Sequence, residues 1–173
     1  MEAELLHRPP VSGQYEEHNF SNSGNTVWVK FFDEEWVEWC GVFSLGWCSG
    51  SSVHRVPGKS EFLVLAGGQG YFIDANKRKI NSKTKSINIE SVIYSSAISK
   101  FVASDGSSVG ILNGEEIQWC TDRISIDGIT FTKSEGVIVE GMLNDLTDDG
   151  GPFKLDVTTS EIEAPWLFYQ NVK

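Results

Sequence analysis

Basic charge is scarce in this 173-residue chain: 14 lysines and arginines stand against 24 aspartates and glutamates, for a net charge of −10. A surface of that sign repels phosphate backbones, which argues against general nucleic-acid binding. The cations are also unevenly spread, with Lys77, Arg78, Lys79, Lys83 and Lys85 close together. Cysteines number three, Cys40, Cys48 and Cys120, with no Cys-x-x-Cys spacing. An odd set cannot pair fully within the chain, so reduced thiols and a cytoplasmic location are expected. The three histidines, His7, His18 and His54, show no His-x-x-x-His spacing, so no metal and no cofactor is expected. No apolar run reaches the roughly 18 residues of a membrane span. The opening Met1–Pro10 lacks the cationic start and apolar stretch of a secretory signal.

Catalytic signatures are equally thin. No Gly-x-Ser-x-Gly elbow occurs, and Cys48 to Ser52 reads as a loop. Gly67-Gly68-Gln69-Gly70 lacks the Lys-Ser/Thr that completes a phosphate loop, so it reads as a turn between strands. The acidic loop Asp145 to Gly150 lacks the closing glutamate of a calcium loop.

Aromatic residues are plentiful: six Trp, ten Phe and four Tyr, enough bulk for a real core. With 17 glycines and few helical patterns, they point to a strand-rich protein with many turns. A short pattern then recurs four times: an apolar residue, Asp or Asn, and six residues on a Trp or Ile. It reads Phe32-Asp33…Trp39, Ile73-Asp74…Ile80, Leu112-Asn113…Trp119 and Leu155-Asp156…Ile162, with the Asp/Asn 41, 39 and 43 residues apart. A period near 40 marks a repeat architecture in which neighbouring units bury each other's faces.

The Asp or Asn suits the start of a hairpin turn, because its short side chain bonds to backbone two residues on. Asn113-Gly114 is a hairpin dipeptide of the same kind. The Trp or Ile six positions later is expected to begin the next strand and pack inward. Further alternating segments run between the units, from Ser51 to Val56, Ile87 to Tyr94 and Ile124 to Phe131.

These features resemble the blades of a β-propeller, in particular quinoprotein-type blades, where an aliphatic-Asp pair, a tight turn and a Trp follow one another. The resemblance covers residues 26 to 163 and implies an all-β fold of four units, a small propeller-like meander. A β-sandwich or distorted barrel built from the same meanders is the alternative. Residues 1–22 are expected to form a partly irregular N-terminal arm, and 23–173 one all-β repeat domain. Ring closure calls for a terminal strand, with Trp28 to Phe31 and Trp166 to Tyr169 as candidates.

The candidate binding surface is the densest aromatic-acidic stretch. Trp36 stands three residues from Trp39, so in a regular strand it faces the opposite way. Ringed by Asp33, Glu34, Glu35 and Glu38, it would serve as a partner anchor, with Asp148 and Asp149 as further acidic contacts. The function expected is a non-enzymatic acidic protein that binds a basic protein partner, in the manner of a bacterial immunity or inhibitor protein. The alternative is a small enzyme or ligand-binding domain with a pocket where the repeats converge, using carboxylates such as Asp105, Asp127 and Asp145. A third option is a subunit that completes a larger β assembly through unpaired edges.

Overall fold

The computed structural model describes residues 1–22, 24–33, 35, 37–48, 50–144 and 150–164. Among them, 55% lie in strands and none in a helix, so the all-β class holds. Among the described residues no helix is long and apolar enough to cross a membrane. The described residues form sixteen strands in four sheets of four, none of which closes into a barrel. The distorted-barrel alternative is thereby set aside.

The chain divides into two compact units, residues 1–88 and 89–173. The first holds β1 (Glu2–Leu6), β2 (Glu16–Asn19), β3 (Thr26–Phe32) and β4 (Glu38–Ser44) in one sheet. Its second sheet is β5 (Ser51–Arg55), β6 (Glu61–Ala66), β7 (Gln69–Asp74) and β8 (Lys79–Lys83). The second unit holds β9 (Ser91–Ser95), β10 (Lys100–Ser104), β11 (Val109–Asn113) and β12 (Glu116–Trp119), then β13 (Ile129–Glu135), β14 (Ile138–Leu143), β15 (Gly151–Asp156) and β16 (Ile162–Glu163).

Three of the sheets are simple antiparallel meanders in chain order, and local chemistry explains them. Phe62-Leu63-Val64-Leu65-Ala66 is buried on both faces, as suits a central strand of β-favouring residues. β15 instead buries alternate residues, Phe153 and Leu155 inward, with Lys154 outward between them. Gly67 and Gly68, both at positive φ (55° and 87°), form the two-residue loop between β6 and β7. Positive φ at both central residues gives the turn whose twist matches a hairpin, and glycine reaches it without strain.

The recurrent Asp behaves as a turn-former. Asp74 Oδ1 accepts the Lys77 amide at 3.0 Å, and Asp156 Oδ1 accepts those of Thr158 and Thr159 at 2.8 and 3.2 Å. Asp33 Oδ1 accepts the Glu35 and Val37 amides, each at 2.9 Å. The third unit differs in detail. Asn113 pairs with Glu116, so the loop residues are Gly114 and Glu115 and only Gly114 has positive φ (65°).

The first sheet departs from the others. Its order is β1-β3-β4-β2, with β2 lying parallel to β4 on the outside. Residues 1–22 were expected as a partly irregular arm; they supply two of its four strands. The physical reason is edge pairing: β1 covers one side of β3 and β2 one side of β4, leaving neither central strand exposed. The first sheet therefore takes strands from both sides of residue 22.

This topology also alters one repeat position. Ile80, Trp119 and Ile162 each sit on the fourth, edge strand of a meander, whereas Trp39 sits on the central strand β4. Trp39 is 1% exposed and stacks on Phe31, with ring centroids 4.2 Å apart. Trp119 is 45% exposed. The expectation that it packs inward fails, whereas Ile80 and Ile162 on the equivalent edge strands pack against the two cores.

Each unit has its own core. Val29, Phe31, Trp39, Phe43, Phe62, Val64 and Tyr71 fill the first, and the Tyr71 hydroxyl donates to the Ser44 carbonyl at 2.8 Å to tie its two sheets. Val102, Val109, Ile129, Val139, Phe153 and Leu155 fill the second, where β9 packs beside β13. Fully burying one such side chain stabilises by about 1.5–3 kcal/mol.

Candidate interaction surfaces

Of the seven expected contact residues, Glu34, Trp36, Asp148 and Asp149 lie outside the described residues. Asp33, Glu35 and Glu38 are brought together by the connection from β3 to β4. Asp33 is occupied by the turn it closes. Glu38 is partly buried and receives Lys30 Nζ at 3.5 Å, while Glu4 approaches the same ammonium at 3.6 Å. Burial opposes the charge on Lys30, but Glu38, Tyr15 and Glu4 outweigh it and hold its pKa above the usual lysine value. Glu35 is exposed. Two of these three carboxylates thus have internal duties.

Two ionic contacts of the first unit join its sheets. Arg55 of β5 reaches Glu2 of β1 at 2.6 Å, and Arg78, after β7, reaches Glu16 of β2. Arg78 and then His18 hold the Glu16 carboxyl below the usual range. Such exposed pairs set geometry more than they add stability.

A hollow of about 600 Å³ lies along the loop after β1, lined by Glu4, His7, Arg8 and Tyr15 among others. Neither Asp105 nor Asp127 lines it. Asp105 Oδ1 caps its own turn, accepting the Ser107 and Ser108 amides at 2.9 and 2.8 Å. Asp145 lies outside the described residues. His54 Nε2 lies 2.8 Å from Ser52 Oγ, and burial pulls the His54 pKa down. The Cys40 thiol is pushed up to about 11, by burial first and Glu17 second, so it is no nucleophile at neutral pH. No group of three or more His, Cys, Asp or Glu among the described residues could hold a metal ion.

What the sequence pattern missed is the division of charge and the place of exposed apolar residues. Residues 1–88 carry ten acidic and nine basic residues, net −1; residues 89–173 carry fourteen and five, net −9. A count by halves would have found this. The most exposed large apolar side chain among the described residues is Trp47, at 87%, in the link from β4 to β5. Ile126, at 64%, stands in the link from β12 to β13. Alternation had suggested that Ile124-Ser125-Ile126 is a half-buried strand. Instead Ile124 and Ser125 are both buried, Ser125 Oγ lying 2.8 Å from the Gly128 carbonyl and 3.0 Å from that of Asn144. The inward polar bonds turn Ile126 outward.

No known family matches the chain, and no curated protein or solved structure matches it.

Proposed function

We propose that this chain is a non-enzymatic interaction protein that binds a basic protein partner, in the manner of an immunity or inhibitor protein that masks its target. The observation that carries the reading is the concentration of negative charge in residues 89–173, net −9 beside a nearly neutral first unit. A field of one sign on one half steers a cationic protein toward that half and suppresses acidic competitors. Rigid hairpins with many exposed turns supply the kind of scaffold on which binding residues are held in place.

The test is retention of proteins from an extract of the same cells, fractionated beforehand by cation exchange. A basic protein should be held at low salt and released as salt rises. Retention of acidic or neutral proteins alone, or affinity indifferent to salt, would defeat the reading.

A further inference from the structure

A strand at the rim of a sheet leaves half of its amides and carbonyls without a ladder partner, and proteins guard such rims against stray pairing. Three meanders of this chain end in an outer strand: β8, β12 and β16. β16 is two residues long, too short to template another strand. β8 is guarded twice. Ile73 pairs with Ile80 and Phe72 with Ser82, so Asn81 is an extra residue that breaks the ladder, and Lys79 and Lys83 stand at its two ends. Bulges and edge lysines both discourage the addition of a further strand.

β12 carries neither device. Its four residues, Glu116–Trp119, pair with β11 in unbroken register, from Asn113↔Glu116 to Gly110↔Trp119, and none is a lysine. The ladder runs one step further, since the Cys120 amide donates to the Val109 carbonyl at 2.9 Å. Direction alternates along an antiparallel strand, so Glu116, Gln118 and Cys120 turn their backbone groups to β11. The amides and carbonyls of Ile117 and Trp119 therefore face the open side. β12 has β11 as its sole neighbour among the described strands of its sheet.

This rim is held firmly. The Thr121 amide also donates to the Val109 carbonyl, at 3.1 Å, and the Val109 amide returns a bond to the Thr121 hydroxyl at 2.9 Å. The two strands approach so closely that a Cβ on Gly110 would lie 2.7 Å from the Gln118 carbonyl oxygen. A fixed backbone loses little further entropy when a second strand joins it. Trp119, 45% exposed, stands on the same rim, and Trp is among the residues most enriched at interface hot spots.

Charge selects the occupant. The exposed side chains of Glu115 and Glu116 stand at one end of the rim, and that of Asp122 just past the other. Of the cations in this region, Lys100 is bonded to Asn113 Oδ1 at 3.0 Å and Arg123 turns its Nε to the Ser125 carbonyl at 3.2 Å. A second copy of the strand would bring the same carboxylates together, which like charge disfavours. Along β12, Glu116 and Gln118 share one face and Ile117 and Trp119 the other. The matching strand therefore alternates lysine or arginine with apolar residues.

We propose that the open rim of β12 is a docking edge to which a basic partner adds an extended segment as a further strand. Its cations lie on the face of Glu116 and its apolar residues on that of Trp119. This rests on the interaction reading above, and adds to it the place and the mode of binding.

The experiment uses the full chain, immobilised, against a displayed library of random short peptides. The wild type should enrich peptides in which lysine or arginine alternates with apolar residues. A selected peptide, synthesised, is then added in excess while amide hydrogen exchange is followed by NMR. The Ile117 and Trp119 amides should slow by about tenfold or more, and the Gln118 and Cys120 amides, already in the ladder, should change less. Trp119→Ala should bind the peptide about tenfold more weakly with its thermal midpoint nearly unchanged, since the side chain is half-exposed on an edge. Basic peptides that bind without slowing the two amides, or that bind the variant equally well, would overturn the docking edge and leave the basic-partner reading standing. Enrichment of peptides without basic residues, or no enrichment, would overturn both. Sedimentation of the wild type alone should show a monomer; a dimer dissolved by Trp119→Ala would assign the edge to a second copy and overturn the proposal.

Discussion

The Thr84 hydroxyl accepts the Gly70 amide at 2.9 Å and donates to the Ser86 carbonyl at 2.7 Å, fixing the link after β8 against the third strand of its own sheet. Gln69 Nε2 reaches the same oxygen at 2.9 Å, and Thr84 is buried. Thr84→Val keeps the shape and leaves the Gly70 amide without its acceptor. A loss of about 1–3 kcal/mol is expected in urea unfolding. Thr84→Ser keeps the hydroxyl and gives up one methyl, so about 1 kcal/mol or less should go. Equal losses for the two variants would mean that packing, not the hydroxyl, matters there.

Trp39 and Trp119 occupy the same place in the sequence pattern and opposite places in the fold. Trp39→Ala empties a buried site beside Phe31 and should cost about 3–5 kcal/mol. Trp119→Ala trims an edge strand and should cost less than about 1 kcal/mol. Denaturant midpoints of the two variants decide the matter. Similar losses would restore the equivalence that the sequence suggests.

The contrast between these tryptophans marks how far the sequence could be read. The hairpins were legible because Asp74, Asp156, Gly67 and Gly68 act on backbone within a few residues. The all-β class and the four units followed from them. The first sheet was not legible, because β2 joins β4 through a parallel pairing that spans some twenty residues and leaves no local mark. The outward turn of Ile126 was hidden for a related reason. Alternation places Ile126 in a core, and only the bonds from Ser125 to Gly128 and Asn144 reveal that the serine is the inward residue.

Cysteine reactivity offers a separate check on the first sheet. Cys40 is buried on β4 with its thiol pushed up to about 11, while Cys48 and Cys120 are partly exposed and none of the three is disulfide-bonded. At pH near 8 only about one Cys40 thiol in a thousand would be ionised, and burial blocks the reagent further. Brief alkylation of the native chain, read by peptide mass, should label Cys48 and Cys120 first. Cys40 should react only after unfolding. Labelling of Cys40 at the rate of the other two would contradict its place on a central strand.

Acid should weaken the fold partly through Asp74. The Lys77 side chain first, and then the Lys77 amide, hold the Asp74 carboxyl below its ordinary value of 3.8. A lowered folded-state pKa means that the unfolded chain binds the proton more readily. The contribution of Asp74 is therefore complete above the ordinary value and is lost as pH falls through the lowered one. Asp74→Asn keeps an oxygen for the Lys77 amide and removes the charge, so it should weaken the protein slightly at neutral pH. Its stability should then fall less steeply than the wild type's below about pH 4, because one acid-sensitive group is gone. Urea midpoints at about pH 7 and pH 3 measure both effects. If wild type and variant lose the same stability between them, the Asp74–Lys77 contact does not contribute to acid sensitivity, and the turn is held by the backbone bond alone.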